Sequence, residues 1–194
     1  MKAFSKKMTG LLLLLVSILS PTPALAQIKT WNLGGTTVER RPELAGTVVE
    51  DTIRTWSWYE PRERITVNGT LQDRVVRRQK SGTLDFYSRI MLEPQSAKTI
   101  WLLRREGFRS PLAKQDVDYR IDGLGDTSPI SVARDETAGV YEFSWAGRNI
   151  VGGKSSNFVF IGTTATIYDR TGTTNLFAFS GSPIPIPNTY RPVS

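Results

Sequence analysis

The chain has 194 residues, 39% of them hydrophobic and 22% charged, with a net charge of +7 and neither cysteine nor histidine. These absences exclude disulfide stapling, Ser-His-Asp and Cys-His nucleophile systems, and zinc held by its usual protein ligands. Any chemistry would rest on carboxylates, Lys, Tyr, Ser or Thr, or on a hard cation held by oxygens.

Lys2, Lys6 and Lys7 precede an apolar run from Leu11 to Leu19, and Ala24-Leu25-Ala26 follows as a small-x-small site. In that order the three parts predict a signal peptide over 1–26, cleaved after Ala26, and a secreted or periplasmic protein. The run falls short of the roughly 20 residues that span a bilayer. Cleavage would remove three lysines and no acid, leaving 168 residues with a charge of +4. That length suits one domain, placed at 27–180, with a proline-rich tail over 181–194.

The mature chain opens with Trp31 and Leu33 as anchors and Gly34-Gly35 as a loop. Thr47–Tyr59 is rich in β-formers, but neither of its faces is purely apolar, which predicts an edge strand or a bulged one. Asn68-Gly69 carries the signature of a two-residue hairpin turn, and with Thr70 it also spells a glycosylation sequon. Thr83–Leu92 is the segment around which the fold is expected to organise. Leu84, Phe86, Ile90 and Leu92 fall on one side of an extended chain, and Gly82 and Pro94 bound it.

Ile100–Leu103 reads as a further strand. Clean period-two alternation follows at Val117/Tyr119/Ile121, at Tyr141/Phe143/Trp145 and at Phe158/Phe160. The tail SGSPIPIPNTYRPVS is expected to be extended polyproline-like chain or disorder, without a hydrophobic anchor. Many short strands and no helix-period window predict an all-β fold, an antiparallel β-sandwich of jelly-roll-like order, with a β-barrel as the alternative. The expected core is Leu84, Phe86, Ile90, Leu92, Val117, Tyr119, Ile121, Tyr141, Phe143, Phe158 and Phe160.

Three features bear on function. Asp116, Asp118, Asp122 and Asp126 lie within DVDYRIDGLGD, and clustered aspartates on a glycine-bent loop can supply calcium's six to eight oxygens. Position twelve of this stretch is Thr127, so it is not an EF-hand. Three of its acids lie along one strand face, which also fits a solvated face and a turn. Trp56 and Trp58 share a strand face, with Tyr59 alongside; such rings stack on sugars when exposed and pack in cores when not. Arg62–Arg109 holds eleven Lys or Arg against five acids. Strand alternation divides them between two faces, so no nucleic-acid partner is expected. Asp85, Glu93, Glu106 and Glu142 are the carboxylates available for acid–base work, but no spacing marks a catalytic pair.

The succession GTLDFYSRI, Gly107-Phe108, DVDYRIDGLG, Ala133-Arg134, YEFSW and SSNFVFIGTTATIYDRTGT resembles a loosely defined group of exported bacterial proteins of unknown function. The resemblance covers roughly Gly82–Thr173. It implies an extracellular or periplasmic β-rich protein and brings no activity, cofactor or catalytic residue. Many members end in a membrane-sorting segment, which this sequence does not show. The readings carried forward are a non-enzymatic binding or matrix protein, with an extracellular glycan or surface polymer as partner, a calcium-stabilised adhesion-type protein, and a carboxylate-based carbohydrate enzyme.

Overall fold

The protein is described from a computed structural model at residues 28–109, 111–179 and 182–193, the side chains of 113–115 excepted. The expected signal peptide, residues 1–26, lies outside the described residues. Eleven strands form: β1 Ile28–Asn32, β2 Gly46–Glu60, β3 Ile65–Arg78, β4 Leu84–Leu92, β5 Ile100–Arg105, β6 Ala113–Tyr119, β7 Ser131–Asp135, β8 Val140–Ser144, β9 Val159–Thr163, β10 Ile167–Ala178 and β11 Ile184–Val193. They make two antiparallel sheets, ordered β1-β7-β8-β5-β10-β11 and β2-β3-β4-β9-β6. The sheets pack face to face without closing, so the fold is a β-sandwich and not a barrel. In the centre, β4-β9-β6 lies in one sheet and β8-β5-β10 in the other, the interleaving of a jelly roll; β7, which joins β8, departs from it.

The alternation in β4 sets the core. Leu84, Phe86, Ile90 and Leu92 point inward beside Leu71 and Val75 of β3 and Val159 and Ile161 of β9, and all are buried. From the other sheet come Leu103, Tyr141, Phe143 and Leu176. Phe86, Phe108 and Tyr141 meet edge to face in sequence, at 5.4 and 6.0 Å between ring centres, a favoured geometry for aromatic rings.

Four expectations need correction. Ile121 is 45% exposed, while Tyr119, half-buried, packs against the core from its border. β6 ends at Tyr119, and Ile121 instead binds the crossing chain by donating its N–H to the Thr36 carbonyl. Phe158 and Phe160 are buried, but on the outer face, in a second cluster with Leu44, Val76 and Tyr87. Asn68-Gly69 is not a turn. It lies inside β3, and the β2–β3 turn falls at 61–64, where Arg64 adopts φ 55°. Gly69 is there because it faces Trp56 across the ladder; a Cβ would sit 2.6 Å from the indole and 2.5 Å from the Met91 carbonyl. Lastly, the proline-rich tail is a strand. β11 pairs with β10, and Ile184, Ile186 and Tyr190 enter the core while Pro185 and Pro187 alternate outward. Proline is tolerated because β11 is an edge.

β2 is an edge strand and also bulged, between Val48 and Glu50. The core also holds charges that hydrophobic periodicity does not reveal. Arg105 of β5 is 1% exposed, and its guanidinium reaches across the sandwich to Asp73 of β3 at 2.8 Å and to the Ser88 hydroxyl. Arg105 also donates to the Tyr190 carbonyl, and the Tyr190 N–H donates to Asp73.

Candidate functional site

The outer face of the five-stranded sheet is half covered by the chain between β1 and β2, which leaves a groove of about 480 Å3. Arg74 on β3 and Tyr87 on β4 point to this face because their neighbours Val75 and Phe86 point inward. Phe158, just before β9, forms the floor. The loop after β6 adds Arg120, Asp122, Gly123 and Leu124, and Val38, Leu44, Ala45 and Gly46 form the opposite wall.

Phe158 is the pivot. The Arg74 guanidinium lies 4.7 Å from its ring centre and that of Arg89 5.9 Å, while Tyr87 meets it edge on at 6.2 Å. Arg74 is matched by Asp51 at 2.6 Å and Arg120 by Asp122 at 2.6 Å. Arg89 donates to the Ser155 hydroxyl at 2.9 Å and, among the described residues, has no hydrogen-bonded carboxylate. Burial pulls the Arg89 pKa down; Asp126 opposes this and Arg74 adds to it. Among the described residues the Nε of Arg74 and the Nε of Arg89 are buried without hydrogen-bond partners, and the Tyr87 hydroxyl lies against the Arg120 guanidinium. An unmade hydrogen bond costs about 1–3 kcal/mol per group, and here two flank one ring. Burial pushes the Tyr87 phenol up to about 12, so it stays a donor at neutral pH.

A charge ladder fixes the wall. Both Nε contacts of Arg78 to Asp85 are 2.8 Å, and Arg78 reaches Asp116 at 2.5 Å. Asp116 in turn holds Arg41 of the crossing chain at 2.6 Å, and Leu44 inserts beneath. Burial pushes the Asp85 carboxyl up to about 6 against the pull of Arg78. Burial also raises Asp116, but hydrogen bonds from Arg78 and Arg41 outweigh it and hold the group low. The signs therefore oppose. A carboxyl raised above its unfolded value of about 4 withdraws stability as pH climbs from 4 through 6. One held low contributes stability that disappears as pH falls below 4. Thermal melts against pH should show Asp85→Asn flattening the slope between pH 4 and 6 and Asp116→Asn blunting the decline below pH 4. Unchanged slopes in both variants would contradict the ladder.

The predicted aromatic trio does not form one surface. Trp56 is 6% exposed and belongs to the core, Trp58 is half-buried against it, and Tyr59 lies on the opposite face of β2, 54% exposed. The four aspartates do not converge. Asp116 takes Arg78 and Arg41, and Asp118 accepts the N–H groups of Gly35 and Tyr119. Asp122 takes Arg120 and the Val38 N–H, and Asp126 takes the N–H and hydroxyl of Ser155. Among the described residues no group of three or more such side chains is placed to hold a metal. Of the acid–base candidates, Asp85 lies on the outer face of one sheet and Glu142, paired with Arg104, on the outer face of the other. Glu106 accepts from Asn175.

The sequence reading missed Arg74, Tyr87, Arg89, Phe158 and Arg120 as a set. The signal was present in β4, whose polar side carries Tyr87 and Arg89 next to each other on one face. A larger cleft of about 730 Å3 is lined by Glu106, Arg109 and Arg191 among others, and no aromatic ring among the described residues lines it. Comparison of the chain with protein-family models, curated proteins and solved structures found no match.

Proposed function

We propose that this chain is an exported, non-enzymatic binding protein of the bacterial surface or surrounding matrix, and that its ligand is a carbohydrate polymer carrying carboxylate groups. One observation carries the reading. Around Phe158, among the described residues, the guanidinium of Arg89 has no hydrogen-bonded carboxylate, the buried Nε of Arg74 and that of Arg89 lack partners, and the Tyr87 phenol, beside Arg120, keeps its proton to donate. A sugar acid supplies what is missing, because its carboxylate accepts from guanidinium and phenol while its ring packs on aromatic and aliphatic surface. The +4 charge expected after signal cleavage favours approach of such a polymer. Export is supported by the signal-peptide pattern and by the resemblance to exported bacterial proteins. Among the described residues Asp122 is the carboxylate that lines the groove, and it is paired with Arg120. Affinity electrophoresis tests the reading: gels containing polygalacturonate should retard the protein, and gels containing dextran should not. Equal mobility in both would overturn it.

A further inference from the structure

We infer that the protein forms a two-fold dimer by pairing β2 antiparallel with β2 of a second copy, with Glu50 opposite Arg54 in both symmetry-related positions. An open sheet edge is a template for another strand, and folded proteins normally block it. Three of the four edges here are blocked. β1 is only five residues long. β11 carries Pro185, Pro187 and Pro192, which cannot donate. β6 is irregular between Ala113 and Val117, and its continuation is bridged at Arg120 by Thr36.

β2 is different. It runs for fifteen residues without proline or lysine, and among the described residues it pairs only with β3. Its exposed side chains include Val48, Val49, Ile53 (62% exposed) and Tyr59. Charge selects the occupant and the register. In an antiparallel pair, opposed residues share a face, so like charges directly opposite repel. A two-fold axis at Glu50, Asp51 or Arg54 would set each of these against its own copy. An axis at Thr52 opposes Glu50 to Arg54 twice, Val49 to Thr55, and Ile53 to Asp51. Both side chains are held on the inner side of β2, Arg54 over the Tyr190 ring with Asp73 at 3.6 Å and Glu50 by the Tyr168 and Tyr190 hydroxyls and Arg170, so this register sets opposite charges, and no like pair, at facing positions of the two strands.

Sedimentation equilibrium of the intact protein at tens of micromolar should show a dimer. Ile53→Glu places a carboxylate opposite Asp51 at two positions and should weaken the dimer roughly tenfold or more, whereas Ile53→Lys should retain or strengthen it. Ile53 is exposed, and matching thermal melts will show that both variants fold. Thr52→Cys supplies the chain's only cysteine on the axis itself and should oxidise to a covalent dimer. A monomer at all concentrations, whether or not the edge takes a strand from some other protein, overturns the inference. So does an equal effect of Glu and Lys at position 53, or a Thr52→Cys variant that stays uncross-linked.

Discussion

Ending the chain after Phe179 is expected to abolish folding, not to trim a tail. β11 delivers Ile184, Ile186 and Tyr190 to the core, all nearly inaccessible. Burying each such side chain contributes about 1.5–3 kcal/mol, and whole domains retain only about 5–15 kcal/mol. Tyr190 does more than fill space. Its N–H donates to Asp73, its carbonyl accepts from Arg105, and its hydroxyl bonds to Glu50 and Thr52. Losing β11 also uncovers β10 as a new edge. Near-ultraviolet circular dichroism of the truncated chain should show no fixed aromatic signal and heating no cooperative transition. A truncated chain melting within a few degrees of the whole would show that β11 is dispensable.

Arg105→Met should be the most damaging single substitution inside the sandwich. It removes the guanidinium facing Asp73, which is itself fully buried. A lone buried charge typically costs about 3–5 kcal/mol. Arg54 offers partial relief to Asp73 from 3.6 Å. The double variant Arg105→Met with Asp73→Leu should lose much less than the sum of the two single variants, because no charge is then left unmatched. Urea unfolding of the four proteins measures this cycle. Strictly additive losses would mean that the pair does not couple the two sheets.

The organising strand and most of the core were legible because side-chain alternation reports directly on which face is buried. Leu84, Phe86, Ile90, Tyr141 and Phe143 followed from that pattern alone. The failures share a cause, which is that a residue's meaning depended on something distant in sequence. Asn68-Gly69 has turn chemistry, but Gly69 is required by the Trp56 ring across the ladder. The prolines of β11 suggest an unpaired tail until the chain is seen to occupy an edge. Trp56 and Trp58 share a face as expected, and that face is the inner one. The groove was hidden for the same reason. Tyr87 lies on the polar side of β4, and only the crossing chain, with Leu44 and Arg41, turns that side into a groove; Arg89 stands beside the groove against the Phe158 ring that forms its floor. The aspartate cluster was visible as composition, but each carboxylate finds a separate partner once strands and loops take their places.

Isothermal titration calorimetry of the whole protein and of Arg89→Gln with a short galacturonate oligomer, at low and moderate salt, tests the central claim most directly. The account predicts saturable binding to the unsubstituted protein that weakens with salt, roughly tenfold weaker binding to Arg89→Gln at unchanged thermal stability, and no heat from a neutral glucose oligomer. Binding of equal strength to both proteins, or to the neutral and acidic oligomers alike, would contradict it.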